Sequence, residues 1–265
     1  MTTGVSIEYA HARASARLSQ RPDERMWQHL RASRSVAAQL EAVRSSPAAA
    51  YVSGIAVAGT IDAMELAFRQ QFRGLVAEVV NWAPDDWKPA ISFVSHLLDL
   101  PALLRVTGDI PPAWMSTDPE LAAFARRDSL ERRANLSSEL PWLVAAMAET
   151  EKVPGATLAA RPHSALRAWE RRWRALWPGC SAEEHANLDQ LVRIIERHLV
   201  HFGSLAVEDA GDARLKLAAE LTSLLRRSAA QPAALFAWLA LLAIDLERLR
   251  GEFVLRAATD QGLAP

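Results

Sequence analysis

The stretch Glu196–Phe202, ERHLVHF, sets His198 and His201 three residues apart, which places two imidazoles roughly on one helical face. A catalytic zinc needs a third protein ligand and a water, and a di-iron carboxylate centre needs paired Glu-x-x-His helices plus two further glutamates. The sequence has no His-Glu-x-x-His and no such helix pair, so these histidines read as ordinary surface or partly buried residues and no metal is expected. Asp85-Asp86 in NWAPDDWKPAI lacks a third acid one turn on, as magnesium–diphosphate chemistry would require, and reads as the acidic start of a helix. No Gly-x-Gly-x-x-Gly and no Gly-Lys-Ser/Thr loop is present to cradle a phosphate. Trp169, Trp173 and Trp177 recur at four-residue steps among Arg171, Arg172 and Arg174. Such a stripe can stack single-stranded nucleic acid, but the same spacing describes a core-facing helix, and core packing is the expectation. Cys180 has no histidine beside it and sits after Pro178-Gly179, which disfavours a nucleophile. No constellation for catalysis emerges, and no cofactor is expected.

The elements that hold these residues are helical. Alternating apolar–polar strand patterns are almost absent, and apolar residues recur at three- and four-residue steps. Helices are predicted over about 5–20, 23–45, 61–82, 86–107, 118–128, 130–150, 162–177, 182–203, 212–228 and 232–257. Thr60 or Asp62 can cap the third, Ser181 and Glu184 have capping-box spacing at the eighth, and Pro232 suits the first turn of the last. Residues 46–60, 107–119 and 151–163 read as irregular connections. The fold class expected is all-α.

Half of the 265 residues are hydrophobic, enough for a substantial core, and the formal net charge is −1 from 30 basic and 31 acidic residues. That balance gives no bulk drive toward nucleic acid or an anionic membrane. Only Lys88, Lys152 and Lys216 are lysines, leaving 27 arginines, a bias better explained by a GC-rich genome than by an arginine-specific role. The lone Cys180 suits a reducing cytoplasm. The N-terminus breaks into arginines without an apolar leader region. The most apolar window, Ala233–Ile244, has 12 residues, where a span needs about 20; no membrane span is expected.

One motif is written twice. LLAIDLERLRGEF (Leu241–Phe253) and SHLLDLPALLR (Ser95–Arg105) both place Asp-Leu-x-x-Leu before an arginine, after an apolar lead-in. Upstream, Ile61-Asp62, Met64, Phe68 and Phe72 align with Leu188-Asp189, Leu191, Ile195 and Leu199. The pattern suggests an internal duplication, with lobes at 1–107 and 181–265 around a diverged region at 108–180, or one compact unit. On the last helix Leu235, Trp238, Leu242, Leu246, Leu249 and Phe253 form an apolar seam, while Asp245, Arg248 and Glu252 share another face. That charged face reads either as solvated or as turned toward a partner. The candidate partner-interface residues are Asp245, Arg248, Arg250 and Glu252 with Asp99 and Arg105 of the first copy.

In order along the chain, several stretches resemble the family of rotary V/A-type ATPase subunits that join the central stalk to the membrane ring (the AC39-like family). YAHARASARLSQ (Tyr9–Gln20) is similar to its opening Tyr-x-x-Ala-Arg-x-Arg helix, and RSVAAQLEAVRSSPAAAYV to its short helix followed by Ser/Thr-Pro-Tyr. DAMELAFRQQFRGLVAEVVNWAP resembles the long helix before the first repeat, and AIDLERLRGEFVLRA the final Asn-Leu-Arg helix. The resemblance covers 9–107 and 186–257; the asparagine before leucine in the family stands here as Ala102 and Arg248, and 108–180 matches nothing clearly. The resemblance implies a non-catalytic, funnel-like array of two to three pseudo-symmetric helical lobes. It further implies partners in the central stalk and the membrane proteolipid ring, at the cytoplasmic face of an ion-transporting complex. The alternative is a helical scaffold or regulatory interaction protein without ATPase association.

Overall fold

The computed structural model describes residues 6–56, 59–106, 110–151, 161–202 and 209–260. Among them are twelve α-helices and no strand: α1 Ile7–Arg17, α2 Glu24–Ala32, α3 Val36–Arg44, α4 Ile61–Trp82, α5 Lys88–Phe93, α6 Leu100–Val106, α7 Ser129–Glu139, α8 Pro141–Glu151, α9 Arg161–Arg174, α10 Ala182–Phe202, α11 Ala210–Arg227 and α12 Pro232–Asp260. The chain is all-α. Short 3₁₀ turns occupy Leu18–Gln20, Pro47–Val52, Val94–Leu98, Ala113–Thr117 and Ala122–Phe124.

α12 is the axis about which the rest is arranged. It packs against α1, α3, α4, α10 and α11, and every residue from Pro232 to Leu239 is buried. A helix apolar on all sides is stable only when surrounded, which is why Ala233–Ile244 lies inside the fold. No single helix among the described residues is long and apolar enough to cross a membrane; only the bent pair Lys88–Leu98 and Leu100–Val106 reaches the threshold jointly, with a 58° break between its parts. The seam read on α12 is real: Leu235, Trp238, Leu242, Leu246, Leu249 and Phe253 are all buried, and Phe253 meets the Phe68 ring of α4 edge-on at 5.8 Å. Buried side chains from Ala10 to Ala257 form one continuous cluster.

Start signals act as read. Thr60 Oγ1 accepts from the Ala63 N–H at 3.2 Å. Ser181 and Glu184 make the reciprocal capping box, Oγ accepting from Glu184 N at 3.2 Å and the carboxylate from Ser181 N at 2.8 Å. Breaks account for the departures. The helix expected over 23–45 is two, because Ser35 adopts an extended conformation to cap α3 through the Ala38 N–H. The helix expected over 86–107 is divided at Asp99, since Pro101 cannot donate to a carbonyl one turn back and its ring crowds that turn. Pro141 divides 130–150 likewise and opens α8. In place of a helix over 118–128, the Asp118 carboxylate accepts from the Glu120 N–H at 2.9 Å and a short 3₁₀ turn follows.

The tryptophan stripe of α9 is core. Trp169 and Trp173 are buried and stacked at 5.5 Å, Phe93 stacks on Trp169 at 5.7 Å, and Phe236 of α12 meets Trp173 edge-on at 4.8 Å. The aligned helices α4 and α10 differ in what they bury. Phe68 and Phe72 are inside, whereas their counterparts Ile195 and Leu199 are partly covered and 37% exposed.

Candidate functional site

The two aspartates of the repeated motif are not on a solvated face. Asp99 is 1% and Asp245 4% exposed, and a buried carboxylate must find a counter-charge within the fold. Each is clasped by arginine from another element. Arg69 and Arg73 of α4 reach the two oxygens of Asp99, each at 3.0 Å. Arg73 also takes both oxygens of the fully buried Asp118 at 2.8 Å, and Arg69 lies 4.4 Å over the Trp114 ring. Asp245 instead receives Arg21, Nε to Oδ2 at 2.7 Å and Nη2 to Oδ1 at 2.9 Å, the parallel two-bond arrangement that guanidinium and carboxylate favour. As partner-facing residues, Asp99 and Asp245 are therefore corrected: both are consumed by internal ion pairs.

Arg250 is also tied inward, to Glu65 of α4 at 2.5 Å and to Glu247 at 2.8 Å. Glu65 stands 4.0 Å from Arg69, so alternating charges run Glu247, Arg250, Glu65, Arg69, Asp99, Arg73, Asp118 from α12 across α4. Glu252 is half-buried and Arg105 exposed. The sequence reading missed Glu65, Arg69, Arg73 and Asp118. A signal existed: Glu65, Arg69 and Arg73 each follow a buried residue of α4, Met64, Phe68 and Phe72. A charged stripe bordering an apolar stripe at the same period lies at the edge of an interface, where α12 and Asp99 wait for it. Arg21, in an irregular turn, carries no such pattern.

Arg248 and Asp245 share an open cleft of about 720 Å³ between α11, α12 and the start of α2. Five arginines line it, Arg21, Arg214, Arg226, Arg227 and Arg248, against two carboxylates, Glu24 and Asp245. The α11 wall shows Leu215, Ala218, Ala219, Thr222 and Ser223 between its arginines, and the small side chains beyond Leu215 leave the space open. The Arg248 guanidinium carbon lies over the Trp27 ring, 4.0 Å from its centre, a cation–π contact. Glu24 is 4.0 Å from it, beyond hydrogen-bond reach. Burial pushes the Arg248 guanidinium below its ordinary value, with Glu24 opposing.

Beneath the cleft floor, burial pushes the Asp245 carboxyl up against the pull of Arg21. At Arg21 burial works against the charge, yet the Asp245 carboxylate outweighs it and the guanidinium is raised. The guanidinium keeps its charge, and the bidentate contact binds Arg21 and Asp245 as one buried pair. Burial, reinforced by the Asp245 charge, also pushes the Tyr51 phenol up; its hydroxyl makes no well-formed hydrogen bond.

His198 is half-buried and lowered by burial, with Arg214 and His201 adding to the effect. Among the described residues no three His, Cys, Asp or Glu side chains gather as metal ligands. Burial also raises the Cys180 thiol, the opposite of nucleophile activation. Compared with protein-family models, curated proteins and solved structures, the chain matches none.

Proposed function

We propose that this chain is a non-catalytic coupling component that acts by binding and by mechanical stiffness. The observation that supports it is α12: 29 residues, about 43 Å at 1.5 Å per residue, enclosed by five helices and cross-braced to α4 and Arg21 by ion pairs. A close-packed interior of this kind transmits displacement with little compliance. Joined to the ordered resemblance over 9–107 and 186–257, the reading takes a specific form. The chain couples the central stalk of a V/A-type rotary ATPase to the membrane proteolipid ring, at the cytoplasmic face, as a funnel of helical lobes. With Asp99 and Asp245 internal, the polar contacts to partners fall to exposed groups such as Arg105 and to the arginine cleft.

A second reading is favoured by one observation. α4 and α10 bury their aligned faces to different depths, with Phe68 and Phe72 inside but Ile195 only partly covered and Leu199 37% exposed, and the arginines clasping Asp99 come from α4 while the one clasping Asp245 comes from the turn after α1. A pseudo-symmetric pair of lobes would repeat both, so a helical scaffold or regulatory interaction protein is the alternative. Affinity purification of the tagged chain from its native membranes in mild detergent separates the two. Stoichiometric recovery of proteolipid ring or central stalk proteins supports coupling, and their absence leaves the scaffold reading.

A further inference from the structure

We propose that the cleft between α2, α11 and α12 is a binding site for a small ligand bearing two or more phosphate groups. The whole chain carries a net charge of −1, yet five arginines and two carboxylates line this cleft; Arg21 and Asp245 are committed to each other, which leaves four arginines beside Glu24, itself paired with Arg31. A concentration of like charge on an otherwise balanced protein costs self-repulsion that a bound anion relieves.

The arginines come from three elements and converge on one volume. Arg21 and Arg248 stand on one side, and Arg214, Arg226 and Arg227 at the two ends of the α11 wall. Twelve residues separate Arg214 from Arg226, about 18 Å along the helix, so a compact polyphosphate is met at one end of the wall, where Arg226 and Arg227 are adjacent. Arg226 and Arg227 are exposed and make no ion pair among the described residues. Arg248 already rests over the Trp27 ring, with Glu24 4.0 Å away and beyond hydrogen-bond reach, so little side-chain freedom is lost when an anion arrives.

The size selects among anions. A volume of about 720 Å³ lies in the range that small-molecule sites occupy, about 300–1,000 Å³. Between the arginines the wall is Leu215, which is 50% exposed, then Ala218, Ala219, Thr222 and the exposed Ser223; the small side chains on the Arg226 side allow a compact, highly charged group to approach the helix closely. Guanidinium meets phosphate oxygens through parallel N–H bonds. An acidic peptide carries one charge per side chain and spreads it; a polyphosphate concentrates it as the cleft does. Positive charge continues past Arg227 to Arg193 and Arg197 of α10, where Arg197 is paired with Glu220, while in the cleft Arg226 and Arg227 carry no ion pair among the described residues and Arg248 has only Glu24, at 4.0 Å. This inference stands on the cleft alone and does not depend on association with an ATPase.

Isothermal titration of the full chain with tripolyphosphate, with ATP and with a glutamate-rich peptide tests it, at low and at raised ionic strength. Saturable one-to-one binding of tripolyphosphate or ATP is expected, weakened by salt. The exposed double substitution Arg226→Ala/Arg227→Ala should lower the affinity by about tenfold or more. The equally exposed pair Arg171→Ala/Arg172→Ala on α9 should leave it unchanged, and thermal unfolding of both variants confirms that each is folded. Absence of saturable phosphate binding, equal loss in the two double variants, or tighter binding of the glutamate-rich peptide would each overturn the proposal. In the last case the cleft is a docking surface for an acidic protein segment.

Discussion

Replacing Asp99 with alanine removes the carboxylate to which Arg69 and Arg73 of α4 are both tied. Their side chains are only 13% and 11% exposed, so water cannot readily take over the lost contacts. Breaking a buried ion pair by removing one partner costs about 3–5 kcal/mol. Arg73 keeps Asp118, and Arg69 keeps the Leu98 carbonyl and the Trp114 ring, so the lower end applies, about 3 kcal/mol. For a chain of this size each kcal/mol moves the melting temperature by about 2–4 °C, giving a fall of about 6–12 °C. Differential scanning calorimetry at neutral pH, supported by urea unfolding, reads this directly. Arg105→Ala, six residues on and exposed, is the control, expected within about 0.5 kcal/mol of the unsubstituted chain. If Asp99→Ala proves no more harmful than Arg105→Ala, the buried clasp is not a structural element and the charge ladder across α4 has been misread.

Three further expectations can be checked with the same assays. Phe253→Ala, at a fully buried ring against Phe68, should cost about 3–5 kcal/mol and shorten the lifetime of the folded chain. Ser181→Ala should cost about 1 kcal/mol through loss of the α10 capping box, with fraying confined to that end by hydrogen exchange. At Asp245 the sign follows from a folded-state value raised above 3.8 by burial. The contribution of that group is fully present below the unfolded value and is lost as pH rises through the folded one. Unfolding of the unsubstituted chain and Asp245→Asn across pH should therefore show the stability difference moving in favour of the asparagine variant from about pH 4 upward; the opposite slope would mean that Arg21 outweighs burial.

The parts of the fold legible from sequence were those written in local periodicity. α4, α10 and α12 announce themselves by apolar spacing, and the caps at Thr60 and Ser181 act within a few residues of where they stand. The misjudged stretches depend on tertiary ties or on proline. Asp118 abandons a helix to hold Arg73, and Pro101 divides what periodicity alone reads as one rod. Asp245 of α12 escapes a reading from local pattern for a related reason. Asp245, Arg248 and Glu252 share a helical face, but only the approach of Arg21, 224 residues earlier in sequence, decides that Asp245 is inside. The repeated Asp-Leu element was legible as a pattern and its burial was not, because the clasping arginines lie outside the motif in both copies. The cleft is less legible still, since its arginines are drawn from 21, 214, 226, 227 and 248 and meet only when α2, α11 and α12 pack.

The coupling proposal is tested most directly by recovering the tagged, full-length chain from native membranes in mild detergent and identifying what accompanies it. Proteolipid ring and central stalk proteins in fixed ratio to the chain are the expected result. Recovery of the chain alone, or only with proteins unrelated to a rotary ATPase, would contradict it.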